Sequence, residues 1–153
     1  MTLEQIYYIG ELAGVLAVVA TLLFVIKEIR QNTDQLRIGA SNEWLNLQFQ
    51  LSGGIAENRE VAELWFKGDN DTGYDTLDLI DQQRLIMFEH RAISGWSNLF
   101  HMRQRNLLPD AQWHELNGVM KILGQRRAVR ESWNKFKNSF EEPFQTFAAQ
   151  YLE

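Results

Sequence analysis

The chain has 153 residues, a formal net charge of −5 and no cysteine. Without a thiol there can be no disulfide, cysteine nucleophile or thiolate metal site, and the acidic balance opposes a nucleic-acid partner. The absence of cysteine also agrees with a reducing compartment.

Residues 6–26, IYYIGELAGVLAVVATLLFVI, hold one charge, Glu11, and no proline. The hydrocarbon of a bilayer takes roughly 20 apolar residues as a helix, so this length predicts a single crossing within an anchor at residues 1–30. A soluble core helix would alternate apolar and polar faces, whereas residues 12–26 offer nothing polar beyond Thr21. A cleaved secretory signal fits worse. The leading MTLEQ has an acid and no Lys or Arg, and the apolar run is too long, so the span is expected to be retained. Glu4 and the amino terminus are the charges before the span, while Lys27, Arg30 and Arg37 follow it. Positive flanks stay in the cytoplasm, so the N-terminus is expected outside, with Tyr7 and Tyr8 at the outer headgroups and residues 27–153 inside.

Within the span Gly10, Ala13, Gly14, Ala17, Ala20 and Thr21 recur at spacings of three and four, and Gly10 with Gly14 forms a GxxxG. Small side chains let helix backbones approach closely, which predicts packing against a sister subunit or another membrane protein. The plainer alternative is that Gly and Ala are simply common in membrane helices. Glu11 is the costly residue. One turn below Tyr7 and Tyr8 it can reach the outer interface or take a proton; the sharper alternative makes it an ion or proton site shared between subunits.

Residues 31–52 continue as a juxtamembrane stalk helix. Leu22, Ile26, Ile29, Thr33, Leu36 and Ala40 alternate steps of four and three, and Leu47 and Leu51 extend the apolar face past Trp44. A coiled contact with a sister subunit and packing on the chain's own downstream helices explain this face equally well. Gly53-Gly54 is expected to end the helix, and residues 53–153 to form an all-α bundle. A helix over 55–67 would bury Val61, Leu64 and Trp65, with Asn58 as its cap if it begins later. The stretch 68–76, GDNDTGYDT, is a polar loop. Its aspartates resemble a calcium loop, but counting from Asp69 puts Gly73 fifth, Tyr74 sixth and Ile80 twelfth, so the pattern fails and no metal is expected.

A long helix over 77–107 follows, capped by Asp75 or Thr76, with Leu77, Ile80, Leu85, Phe88, Ala92, Trp96, Leu99 and Phe100 on its buried side. Pro109 starts a helix over 109–123 that Gly124 closes. Residues 127–140 carry Val129, Trp133 and Phe136, and Pro143 opens a last helix anchored by Phe144, Phe147, Ala148 and Tyr151.

Charge in the bundle is segregated. Acids dominate residues 57–81, whereas Lys121, Arg126, Arg127, Arg130, Lys135 and Lys137 crowd residues 121–137 against Glu131. The basic set is a candidate surface for anionic lipid or a partner; alternatively it faces the acidic set within the fold or between subunits. Catalytic patterns are missing. No glycine-rich phosphate loop, HExxH, GxSxG or paired Glu-x-x-His occurs, and His90 and His101 lie three turns apart on one helix. No cofactor is implied.

The segment Ile29-Arg30-Gln31-Asn32-Thr33 directly after the span resembles a group of uncharacterised bacterial single-pass membrane proteins. The likeness extends to Glu89, the turn at 106–108, Trp113, and the aromatics Trp133, Phe136, Phe140 and Phe144. It implies a bacterial inner-membrane anchor with a helical cytoplasmic domain and brings no activity. The expectation is a membrane-anchored helical interaction or scaffold protein that self-associates among membrane lipids. A small oligomeric channel with Glu11 near its outer mouth is one alternative. The other is a membrane-tethered enzyme whose site gathers distant groups such as Glu89, His90 or His101.

Overall fold

A computed structural model describes residues 2–153, with the Ile6 side chain outside that description. The described residues form α-helices and a short 3-10 turn: α1 (Leu3–Glu57), α2 (Arg59–Lys67), α3 (Asp71–Asp75), α4 (Leu79–Gln104), α5 (Asp110–Leu123), α6 (Arg127–Phe136), the turn Lys137–Ser139, and α7 (Glu142–Leu152). They divide into two compact units, one ending at Ile38 and the other comprising Gly39–Glu153.

The first unit is helix alone. It contains an 18-residue window long and apolar enough to cross a membrane, and none of that window is buried. Two of its threonines back-bond within the helix, Thr21 donating to the Ala17 carbonyl at 2.9 Å and Thr33 to that of Ile29 at 2.9 Å. Such back-bonding lets a threonine sit in apolar surroundings without an orphaned donor.

The second unit is a helical bundle that includes the C-terminal part of α1. Ala40 and Trp44 are buried in it, so the apolar face from Ala40 onward packs on the chain's own downstream helices. The Trp44 indole donates to Glu115 at 3.2 Å, and Ser41 to Gln112 at 3.2 Å, tying α1 to α5. Gly95 on α4 makes room for Leu47, since a Cβ there would fall 2.6 Å from both leucine methyls. The expected stop at Gly53-Gly54 does not occur: both glycines are helical and α1 runs to Glu57. No glycine among the described residues takes positive φ. Leu51 before the pair packs against the bundle core and Ile55 after it lines a cavity there, and the helix continues despite about 1 kcal/mol of propensity lost per glycine. The break comes instead at Asn58, whose side chain accepts from the Val61 N–H at 3.2 Å and caps α2.

Two further boundaries differ from expectation. The polar stretch 68–76 contains α3, because Asn70 caps the Gly73 N–H at 2.8 Å. The long helix starts at Leu79, with Asp78 as cap accepting from Asp81 at 2.8 Å. Ile80 then points outward, 73% exposed, whereas Glu89 and Ile93 join the buried side.

The core is built from α4, α5, α6 and α7 together with Trp44 of α1, and is centred on Trp96, Leu116, Met120, Trp133 and Phe144. Each is at most 1% exposed. Phe147 stacks on Phe100 at 4.9 Å and on Trp113 at 5.1 Å, which locks α7 over the ends of α4 and α5. Such pairs add about 0.5–1.5 kcal/mol beyond the area they bury. Gly124 is required by proximity, as a Cβ there would collide with the Tyr151 carbonyl.

α4 ends in a Schellman motif. Leu107 N–H donates to the Met102 carbonyl at 3.0 Å and Asn106 N–H to that of Arg103 at 2.9 Å. Asn106 takes φ 58°, a left-handed conformation that asparagine tolerates and β-branched residues resist. Asn106→Val should therefore lower stability by about 1–2 kcal/mol in thermal unfolding, while Asn106→Gly should be neutral or slightly stabilising.

Candidate functional site

The centre of interest lies where α6 begins. Arg126 occupies the cap position of α6 without a side-chain cap hydrogen bond. The first N–H groups of the helix are satisfied from elsewhere, Arg127 N–H by the Asp69 carbonyl at 3.2 Å and Ala128 N–H by the Gly68 carbonyl at 3.0 Å. That close passage depends on Gly68, where a Cβ would meet both Ala128 and Leu85 at 3.0 Å. With its backbone duties met by the loop after α2, the α6 start leaves Arg126 free to turn its side chain inward.

Arg126 is 5% exposed, and each guanidinium nitrogen has a partner. Nε donates to Asp69 Oδ1 at 2.7 Å, Nη1 to Glu89 Oε1, and Nη2 to the Trp65 carbonyl at 2.5 Å. The guanidinium carbon lies 3.6 Å from the centroid of the Trp65 ring, so the cation also stacks on that indole. Glu89, on α4, is 1% exposed. Burial pushes its carboxyl above the usual carboxylate range, the Arg126 charge and hydrogen bond oppose this in part, and Asp69 adds to the rise.

Around this buried pair the opposite charges meet at the surface. Arg127 lies 2.9 Å from Glu131 and 3.5 Å from Asp71, and Arg130 lies 3.7 Å from Asp71. Lys137 pairs with Glu153 at 2.9 Å, Lys135 donates to Gln83 at 2.6 Å, and Lys121 is exposed on α5. The six basic residues therefore do not form one exposed surface. Arg126 belongs to the interior, and Arg127 and Arg130 face the loop containing α3. The surface pairs contribute about 0–1 kcal/mol each, whereas removing one partner of a buried pair costs about 3–5 kcal/mol.

Beside Glu89 the bundle holds a cavity of about 320 Å³. Trp44 and Leu51 of α1, Trp65 of α2, Glu89 and Trp96 of α4, and Leu123 of α5 lie on its wall. Three of the chain's five tryptophans thus surround a space whose charged wall residue is Glu89.

The span residues are placed differently. Gly10, Glu11, Ala13, Gly14, Ala17, Ala20 and Thr21 are all exposed on α1. A Cβ added at Gly10 or Gly14 would meet nothing within 4 Å, so this face is open to a neighbouring helix.

The distant polar groups do not converge. Glu89 turns to Arg126, while the His90 ring packs 4.2 Å from that of Phe136 with Nδ1 buried and without a hydrogen-bond partner. His101 Nε2 lies 3.7 Å from Glu141. Among the described residues no group of three His, Asp or Glu side chains could hold a metal ion. No family model, curated protein or solved structure matches the chain.

Sequence reasoning passed over the Glu89–Arg126 pair and the cavity. A signal for the first was available: Leu85, Glu89, Ala92, Ile93 and Trp96 keep helical spacing, so an acid falls in the middle of an apolar face. Such an acid needs a buried cation. Nothing in the spacing says which of six basic residues supplies it.

Proposed function

We propose that the chain is a single-pass protein of a bacterial inner membrane, anchored by residues 1–30 with its N-terminus outside. The helical bundle then serves on the cytoplasmic side as an interaction or scaffold module, and the anchor self-associates through Gly10, Ala13, Gly14, Ala17, Ala20 and Thr21. The observation that carries this reading is the uncovered apolar window of α1: Leu12, Leu16, Leu23 and Phe24 are each 60–62% exposed, and no core takes them up. Left in water, that surface would cost about 25 cal/mol per Å²; lipid removes the cost. Lys27, Arg30 and Arg37 after the window support the orientation, and the IRQNT-type segment supports the bacterial source. The open Gly10 and Gly14 backbone supports close helix–helix approach.

The test is fractionation followed by mass measurement. The protein should stay with carbonate-washed membranes, and nanodisc-solubilised material should be a dimer or larger that falls to monomer in Gly10→Ile/Gly14→Ile. A monomeric parent protein would remove self-association, and a C-terminal tag accessible from the periplasm would reverse the orientation.

A further inference from the structure

We propose that the cavity beside Glu89 is a binding site for a small amine, an apolar alkyl or aryl body seated among Trp44, Leu51 and Trp96 with its ammonium head on the Glu89 carboxylate. The site lies wholly within Gly39–Glu153, so the inference does not rest on the membrane reading.

Size comes first. About 320 Å³ is at the lower end of the roughly 300–1,000 Å³ of ligand sites, enough for one ring or a short chain. An apolar wall with one convergent polar group is the usual composition of such a site.

Charge selects the head group. Arg126 is the cation nearest Glu89, and its three nitrogens are engaged by Asp69, Glu89 and the Trp65 carbonyl, with its face against the Trp65 ring. Two of its five N–H groups are not used in these bonds, but Arg126 is 5% exposed and is not part of the cavity wall, so the wall presents no cation to an anion. Glu89 is different: an ionised carboxylate has about four acceptor positions, and Arg126 addresses Oε1. Counting Arg126 against Glu89 and Asp69 leaves one surplus negative charge, which a second cation would neutralise. Trp44, Trp96 and Phe88 also line the cavity, and an aromatic ring attracts a cation held over its face.

Three probes of one shape separate the possibilities: phenethylammonium, 2-phenylethanol and 3-phenylpropionate. Each is titrated into the full chain in zwitterionic nanodiscs, followed by tryptophan fluorescence and calorimetry, with empty nanodiscs subtracted. The amine should bind about tenfold or more tightly than the alcohol, the gain of one charge-assisted hydrogen bond, and the propionate least. Ser52 lies at the cavity wall and is exposed. Ser52→Trp should plug the site and abolish binding with the fold retained by circular dichroism. Glu89→Gln should erase the advantage of the amine over the alcohol. Equal affinity for amine and alcohol, preference for the propionate, binding undiminished in Ser52→Trp, or no binding of any probe would overturn the proposal. The probe comparison on the unaltered protein and Ser52→Trp decide the matter even if Glu89→Gln fails to fold.

Discussion

Arg126→Ala is expected to lower the stability of the helical bundle by about 3–5 kcal/mol at neutral pH, the cost of leaving a buried charge without its partner. Glu89 would lose its cation at 1% exposure, and the Trp65 carbonyl and Asp69 would lose a donor. Arg126→Lys should recover little. A single ammonium cannot reach Asp69, Glu89 and the Trp65 carbonyl in three directions as the guanidinium fork does. The paired change Arg126→Met/Glu89→Leu should be far less damaging than Arg126→Met alone, since the orphaned charge is removed with its partner. Chemical denaturation followed by tryptophan fluorescence measures all four variants. An Arg126→Ala loss below about 1 kcal/mol would show that the pair is not the electrostatic centre of the fold.

The same experiment has a pH dependence of known sign. Burial holds the Glu89 carboxyl above its ordinary value in the folded state. Between the unfolded value near 4.3 and the folded one, the native state therefore binds more protons than the unfolded state, and stability from this group falls as pH rises. Removing Arg126 takes away the main influence that lowers this pKa. The window of falling stability should then extend to higher pH, so the loss in Arg126→Ala is larger at about pH 8 than at about pH 5. A loss that shrinks with rising pH would contradict the assignment of Arg126 as the influence that lowers the Glu89 pKa.

Leu16→Lys/Val19→Lys should remove the protein from membranes. Both residues lie mid-window in α1 and are exposed, 60% and 47%. A lysine at the centre of a spanning helix costs about 2.5–3.5 kcal/mol on insertion scales, so the pair costs roughly 5–7 kcal/mol. The variant should leave the carbonate-washed pellet or be degraded, whereas Ile80→Lys, at an exposed position of α4, should not change the distribution. If the doubly charged variant stays in the pellet undiminished, residues 6–26 are not the anchor.

These two predictions draw on different kinds of information. The apolar run of 6–26 is continuous in sequence, so its preference for a non-aqueous setting can be summed residue by residue without knowing any contact. Local signals were likewise readable where the controlling atoms are close along the chain. Asn58 as a cap three residues before Val61, Gly124 as the close of α5 and Pro143 at the start of α7 are of this sort. Trp133, Phe144 and Ala148 could be placed in the core from helical spacing alone.

Where short-range propensity met distant packing, the sequence misled. Gly53 and Gly54 stay helical while Leu51 before them packs on the bundle core, and Ile80 is left facing solvent because the core packs on the α4 face that carries Leu85, Ile93 and Trp96. The sequence by itself determined an all-helical chain with a lipid-compatible opening and opposed blocks of charge, since these depend on near neighbours and on local spacing. Only tertiary structure decided that Arg126, among six similar bases, would be drawn in to meet Glu89 and Asp69. Its partners lie 37 and 57 residues away in sequence, and a pairing across that distance is set by how α2, α4 and α6 pack, not by any pattern a helix repeats.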